Sequence, residues 1–333
     1  MKTYLIIGII TILIPLSCFV PRNDMFAQKI TEVSDVMNNI REDSTLGLVT
    51  GVSIGLDFST LSMINPRPND GQNTTNIGGL VSIFCNNTGK QSIFDNKFNF
   101  QLSAQRTGST GQPFVKTADI FQATSLYGRK LKGKLYLSAM ADLRTQFFFT
   151  YGNGFLSSNH GEYDVSSEPF SPATLKLMPG LLYRPNSDVK FLFSVISSKL
   201  VIVANDYLAA KGDSTEGVGV LGNPNNGNGN FKNVDAQWGA ELRGEITKKL
   251  FKERVIVSSV IDLYSNYLKN PENVAFEWYN SIDFVIFKNL SVNLKSDWFY
   301  DHNVLVNVGG DPTHLGRRMS IRNAAFLKFN ALF

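Results

Sequence analysis

Histidine, cysteine and long apolar runs are scarce in this chain, and each scarcity excludes a class of function. The 3 His and 2 Cys among 333 residues are scattered and show no metal-ligand spacing. The net charge of +4 is small, and the basic residues do not form the clusters that bind nucleic acid. No apolar run beyond the N-terminus is long enough for a membrane-spanning helix. We therefore expect no metal site, no cofactor and no nucleic-acid partner.

The N-terminus has the organisation of a secretory signal. A basic residue precedes a short apolar stretch, and Ala27 is the small residue expected at a cleavage site. This predicts a signal peptide over residues 1–27. A second interpretation takes Leu16-Ser17-Cys18 as a lipoprotein signal with acylation at Cys18. Cleavage after Ala27 would leave Cys85 as the one remaining cysteine, which excludes an intramolecular disulfide in the secreted form.

The hydrophobic periodicity changes once along the chain. Residues 28–46 are polar and carry Val33, Met37 and Ile40 at helical spacing, which predicts a short periplasmic leader. From residue 47 to residue 333 the period is two, which is typical of strands with one apolar and one polar face.

The alternating segments are long for strands of a soluble protein. The segment from Leu135 to Tyr151 has about seventeen residues, against a usual strand length of about 5–6. Several apolar faces end in aromatic residues, as in Trp298 and Tyr300, which favours contact with lipid headgroups. We predict twelve strands, near residues 47–63, 75–88, 91–106, 117–130, 133–151, 172–184, 188–204, 232–248, 253–268, 272–287, 290–303 and 318–333.

The connections between these segments alternate in length. Short turns are predicted near residues 87–90, 130–133, 185–188, 249–252 and 288–289, and longer loops include residues 65–74, 152–171, 205–231 and 303–317. A brief turn at residues 269–272 occupies a long-loop position. Short periplasmic turns and long external loops are typical of outer-membrane barrels, which also have an even number of strands.

The fold class predicted is therefore all-β, a transmembrane antiparallel β-barrel of about twelve strands in a bacterial outer membrane. The alternative, a secreted β-sandwich or solenoid, fits poorly with strands longer than the about 9–11 residues that span a bilayer. The last segment alternates up to Phe333 and resembles the C-terminal signal read by the barrel-assembly machinery. Outer-membrane lipid and that machinery are the expected partners.

Four segments of the chain form a recognisable set. They are Leu143-Arg144-Thr145-Gln146-Phe147, residues 179–186 (PGLLYRPN), residues 197–209 (SSKLVIVANDYLA) and residues 263–274 (LYSNYLKNPENV) with Trp278 after it. In their order and spacing these segments resemble a Bacteroidota family, domain of unknown function 3078. The resemblance implies an outer-membrane barrel and carries no catalytic residues, because the role of the family is undefined.

Charged residues of both signs fall on the predicted inner face. They are interpreted either as the lining of a pore that selects solutes or as a lattice of ion pairs that fills the lumen. Bulky residues on the same face, such as Tyr136, Phe148 and Tyr264, favour a filled or narrow lumen. The lumen-lining candidates are Asp142, Arg144, Glu241, Arg243, Glu245, Asp262, Lys295, Asp297, Arg318 and Arg322.

An enzyme and a protein scaffold are the other function classes considered. His160, His302 and His314 lie in or beside predicted external loops without a paired Ser or Asp motif, so no catalytic residue is predicted. The leader or an apolar loop could dock an envelope protein. The leading hypothesis is a non-enzymatic narrow channel or solute-permeation protein of unknown substrate, and the alternative is a structural or accessory barrel that acts through envelope partners.

Overall fold

The computed structural model describes nine stretches of the chain. They are residues 46–61, 74–107, 111–151, 165–210, 232–268, 270–287, 290–302, 306–307 and 315–332. The predicted signal peptide with Cys18, nearly all of the predicted leader, the loop residues His160 and His314, and Phe333 lie outside these stretches.

The described residues form strands almost throughout, because β-branched, aromatic and small polar residues alternate along them. The one helix among them, α1 at Asp206–Ala210, is short. Within the described residues, no helix has the length and hydropathy needed to cross a membrane. The strands are β1 (Gly47–Leu61), β2 (Thr74–Thr88), β3 (Ser92–Thr107), β4 (Val115–Lys132), β5 (Leu135–Thr145), β6 (Thr150–Tyr151), β7 (Val165–Ser167), β8 (Ala173–Tyr183), β9 (Val189–Ile202), β10 (Val234–Leu250), β11 (Val255–Asn266), β12 (Val274–Phe287), β13 (Leu290–Tyr300), β14 (Val306–Asn307), β15 (Leu315–Gly316) and β16 (Ser320–Leu332).

Twelve of these strands form one closed antiparallel barrel in the order β1-β16-β13-β12-β11-β10-β9-β8-β5-β4-β3-β2. The first and last barrel strands close it, with Ser53 opposite Leu332 and Asp57 opposite Lys328. Closure gives every barrel strand two hydrogen-bonded neighbours, which removes the open edges that a sheet in hydrocarbon cannot have. The predicted fold class and the count of twelve strands are confirmed.

The connections keep the predicted alternation between a short-turn end and a long-loop end of the barrel. Gly133 and Lys134 make the turn from β4 to β5, and Gly133 adopts φ +59°, which glycine allows without strain. The turn from β10 to β11 instead places Phe251, Lys252 and Glu253 in the left-handed region. β11 ends at Asn266 and β12 begins at Val274, so the connection is longer than the brief turn predicted at residues 269–272.

The two faces of the barrel wall differ sharply in polarity. Outward positions are apolar and exposed, for example Leu137, Phe193 and Trp238 at 55%, 48% and 48%. Inward positions on the same strands are polar or charged and buried, for example Ser138, Ser194 and Glu241. An exposed apolar outer wall around a polar interior is the arrangement of a barrel that meets lipid, the inverse of a soluble barrel.

Aromatic residues lie toward both ends of the outer wall. Near the long loops, the rings of Trp278 and Trp298 pack edge to face with centroids 5.3 Å apart. Near the short turns, Phe94 and Tyr127 make a similar contact at 6.5 Å, and Phe287 is exposed. Trp278 and Phe287 are nine residues apart on β12, about 31 Å along a strand and about 23 Å along the axis at a tilt of about 40°, close to the apolar height of about 25 Å in known barrels.

The prediction of one strand from residue 133 to residue 151 is wrong at its C-terminal end. β5 stops at Thr145, and Thr150–Tyr151 pair instead with Val165–Ser167 in a separate ribbon. The carboxylate of Asp119 accepts hydrogen bonds from the backbone N–H groups of Phe147 (3.0 Å) and Phe148 (2.8 Å). These bonds hold the segment away from the sheet, so the alternation of Phe147, Phe149 and Tyr151 belongs to a rim segment and not to a strand.

Candidate functional site

The strand register brings inward charges of opposite sign together in the upper half of the lumen, toward the long loops. Lys176 on β8 lies opposite Asp142 on β5, and Arg243 on β10 lies opposite Asp262 on β11. Because inward side chains recur every second residue, these positions project into the interior from neighbouring strands. We refer to Asp142, Arg144, Lys176, Glu241, Arg243, Glu245 and Asp262 as the lumen network.

Lys176 is the central cation of the lumen network. Its Nζ lies 2.8 Å from Oε1 of Glu241 and 2.9 Å from Oδ2 of Asp262, so one ammonium group joins β8, β10 and β11. The Ser197 hydroxyl on β9 donates a hydrogen bond to the other carboxylate oxygen of Glu241. Four consecutive strands are therefore tied together inside the barrel by charge-assisted hydrogen bonds.

Two arginines extend the network on either side of Lys176. Arg243 donates from Nε to Glu245 at 2.8 Å, and its guanidinium lies 3.6 Å from Asp262. Arg144 holds Asp142 through Nε at 3.3 Å and through a second nitrogen at 3.1 Å. The pairing continues around the wall to β4, where the Gln122 amide donates to both carboxylate oxygens of Asp142 at 3.2 and 3.1 Å.

The lumen network fills the space that it occupies. The side chains of Asp142, Glu241 and Asp262 are only 1–2% exposed, and that of Lys176 is 8% exposed. Four carboxylates face three cations, so the charges nearly cancel. Burial of this kind requires pairing, because an unpaired ion in a low-dielectric interior is very costly. At this level the β4–β11 side of the lumen is a constriction.

An apolar cluster lies below the network, toward the short turns. It joins inward side chains from five adjacent strands, and Tyr136 packs against it. Its members are 1–8% exposed, so this side of the lumen is also filled. The cluster consists of Ile93, Leu126, Met140, Met178, Leu182 and Leu192.

Above and beside the network the interior is partly exposed. The Lys199 ammonium lies 5.9 Å from the centre of the Tyr264 ring, a cation–π contact, and Gln237 donates to Asp235 at 2.8 Å. On β12, Glu277 accepts a hydrogen bond from the Tyr279 hydroxyl at 2.6 Å. We call this partly exposed region the vestibule. It presents both signs of charge to solvent at the long-loop end of the constriction.

The structure distributes the ten lumen-lining candidates over three environments. Six of them, Asp142, Arg144, Glu241, Arg243, Glu245 and Asp262, form the lumen network with Lys176. Lys295 and Asp297 are partly exposed on β13, where Asp297 lies opposite Arg322 in the register of β16. The structure does not describe the side chain of Arg322.

Two inward assignments need correction. Arg318 is exposed and precedes β16, so it lies beyond the end of the strand and not at an inward strand position. Phe148 does not occupy the lumen, since its ring contacts Phe147 at 5.3 Å and the outward-facing Phe100 at 6.0 Å. Both residues follow the alternation in sequence, but each lies beyond the end of a strand.

Lys176 is the member of the lumen network that the sequence did not predict. Its strand carries Met178 and Leu182 on the inner face and leucines on the outer face, so polar and apolar residues scarcely alternate. The one available signal was the lysine itself, a charged residue three positions after Ala173, where this short and mostly apolar strand begins.

The structure gives little support to metal or histidine chemistry in the part of the chain that it describes. His302 Nδ1 lies 3.5 Å from the Tyr300 hydroxyl, beyond the end of β13. No group of three or more His, Cys, Asp or Glu side chains that could hold a metal ion occurs among the described residues. That the protein has no catalytic residue stays a prediction.

Comparison with known families and structures identifies one family and a set of barrels. Residues 61–151 match the family described as "Protein of unknown function (DUF3078)", which confirms the resemblance seen in the sequence. Of the four resembling segments, only Leu143 to Phe147 lies inside the matched region. A comparison with curated proteins gives no match.

Three similar structures come from bacterial envelope proteins. The COG4313 outer membrane channel from Pseudomonas putida F1 is 8% identical, with a TM-score of 0.41 over 87% of this chain and 96% of that one. The NanC porin is 10% identical, with a TM-score of 0.34 over 84% and 98%. The β domain of the Bordetella autotransporter BrkA is 12% identical, with a TM-score of 0.33 over 84% and 98%. Our assignment of the barrel depends on the strand pairing of this chain itself.

Proposed function

We propose that the protein is a non-enzymatic outer-membrane barrel that forms a narrow permeation path for small solutes. The observation that carries this proposal is the partly exposed, charged vestibule that leads to a constriction inside a closed barrel. Charged groups inside a barrel that has an apolar outer wall are typical of a lumen that admits water.

The constriction accounts for why the path would be narrow. The lumen network and the apolar cluster fill the β3–β11 side of the lumen with side chains that are at most 10% exposed, apart from Glu245 at 32%. A twelve-strand barrel has an interior whose width depends on the side chains that line it. The ion pairs of the network therefore limit both the size and the charge of a solute that passes.

Planar-bilayer recording tests this proposal. We expect the purified protein to give small, discrete conductance steps. Arg144→Ala, which removes a large side chain from the network, should raise the conductance. Leu143→Ala, the adjacent outward position on β5, is the matched control and should leave the conductance unchanged. Absence of current in the wild type, in Arg144→Ala and in a form that lacks residues 211–231 would contradict a permeation path.

The extent of filling favours a second candidate, a non-conducting structural or accessory barrel. Ion pairs that link β8, β9, β10 and β11 would then serve to rigidify the wall, and function would depend on an envelope protein partner. In that case cross-linking in intact cells would give a specific adduct, and every barrel variant would be silent in the bilayer.

A further inference from the structure

The wall formed by β11, β12 and β13 differs from the rest of the lower lumen. Its buried inward positions include hydroxyl and amide side chains beside Ile256, Val260 and Asp283, whereas the corresponding positions on β3 to β9 form the apolar cluster. Ser258, Ser281, Ser291 and Asn293 are each at most 3% exposed. The register places Ser258 opposite Ser281, and Asn293 opposite the carboxylate-bearing residue Asp283. Four hydroxyl or amide side chains thus lie close together on three strands, with the carboxylate of Asp283 among them.

Two of these side chains have buried polar atoms without a protein partner. Both the amide nitrogen and the amide oxygen of Asn293 lack a hydrogen bond although the residue is fully buried. The hydroxyl of Ser281 is in the same condition. A buried polar group without a partner destabilises the folded state, so three such atoms on one wall call for a hydrogen-bonding ligand.

The chemistry of the ligand follows from these groups. Asn293 offers a donor and an acceptor, and a serine hydroxyl can act as either. A small uncharged molecule that donates and accepts hydrogen bonds satisfies this set, and water is the smallest such molecule. The wall lies below the vestibule on β12, where Ser281, the buried Tyr279 and the partly exposed Glu277 are successive inward positions.

We propose that Ser258, Ser281, Ser291 and Asn293 form a hydrated track that binds water and small uncharged hydrogen-bonding solutes of the urea type. The track runs from the vestibule toward the short-turn end of the barrel. A transport role for the track rests on the proposed permeation function. The track adds to that function the location of the path, which is the β11–β13 wall and not the apolar cluster.

Chemical modification of introduced cysteines tests the location of the track. Ser281→Cys and Ser291→Cys are made in the full chain with Cys85→Ser, and the background variant alone reports any other thiol. Met178→Cys is the matched control, because Met178 is equally buried but lies in the apolar cluster. Each folded variant reacts with iodoacetamide, a small uncharged amide, and mass spectrometry measures the rate relative to the same variant in urea.

We expect the two track cysteines to react at least about tenfold faster than the Met178→Cys thiol, because access governs the reaction of otherwise similar thiols. Equal rates at all three positions, or reaction of the track cysteines only after denaturation, would overturn the track. Asn293→Leu replaces the amide by a group of similar size that cannot hydrogen-bond. In this variant the Ser281→Cys rate should fall to that of the control, and an unchanged rate would also contradict the proposal.

The labelling result is separate from the permeation result. If the track thiols react but the protein gives no current in the bilayer, the hydrated track is supported and the channel is refuted. If the protein conducts but the track thiols do not react, the channel is supported and the track is refuted. The rate at which proteoliposomes swell in urea then tests whether solute passes along the track. Asn293→Leu should slow urea entry, and Leu143→Ala should not.

Discussion

Lys176→Met is expected to destabilise the barrel more than any other single change in the lumen network. Lys176 is the one ammonium between Glu241 and Asp262, at 2.8 and 2.9 Å. Methionine keeps the length of the side chain and removes the charge. Two buried carboxylates, 1% and 2% exposed, would then face each other without that cation.

The size of the effect follows from the two ion pairs. At an effective dielectric constant of about 20, each pair contributes about 6 kcal/mol of Coulomb attraction, and desolvation of the charges offsets most of it. Removal of one partner from a buried pair costs about 3–5 kcal/mol in measured cases. Because Lys176 has two partners, we expect a loss at the upper end of that range. Glu241→Gln should cost less, because Lys176 still neutralises Asp262 and the excess negative charge of the network disappears.

Equilibrium unfolding in urea, followed by tryptophan fluorescence of protein refolded into lipid vesicles, measures these differences. Lys132→Met is the control, since Lys132 is exposed at the end of β4, and its change should be within about 0.5 kcal/mol. The triple variant Lys176→Met/Glu241→Gln/Asp262→Asn should recover much of the lost stability. If Lys176→Met unfolds at the same urea concentration as Lys132→Met, the lumen network does not stabilise the barrel and our account of the interior is wrong.

Three further predictions concern the outer wall, the strand contacts and the rim. Leu242→Arg places a charge on the lipid face at the middle of β10 and should cost about 2–4 kcal/mol near the midplane; unaltered heat-modifiable migration on gels would count against the outward assignment. Gly239→Ala should impair folding, because a Cβ there would lie 1.9 Å from the Ser265 carbonyl oxygen, whereas Gly79→Ala meets nothing nearer than 3.7 Å and should fold normally. Asp119→Ala removes the acceptor for the Phe147 N–H and should expose a chymotrypsin site there, detected as a new cleavage product that the wild type lacks.

The fold was predictable because its signal is local. In β10, apolar residues at even positions alternate with polar residues at odd positions for most of the strand. The resulting inward and outward assignments for Glu241, Arg243 and Trp238 agree with the burial of these residues in the structure. Period-two alternation therefore determines the face of a residue wherever the strand is regular.

The pairing within the lumen was not predictable from the same signal. Lys176 meets Glu241 only because the registers of two strand pairs, β8–β9 and β9–β10, combine, and both pairs contain a shift, at Leu177/Leu181 and at Gly239/Glu241. The end of β5 was missed for a related reason. Its rim segment is held by Asp119, which lies on a different strand, and no pattern within residues 135–151 reveals that contact.

The most direct test of the two-faced barrel uses its 3 tryptophans, Trp238, Trp278 and Trp298. All three lie at outward positions toward the long-loop end of their strands. In vesicles of brominated phospholipid, we expect strong quenching of the total tryptophan fluorescence, stronger with bromine near the headgroup than near the bilayer centre. An aqueous quencher should have little effect. Weak quenching by brominated lipid together with strong quenching by the aqueous quencher would contradict a barrel with an apolar outer wall and a polar interior.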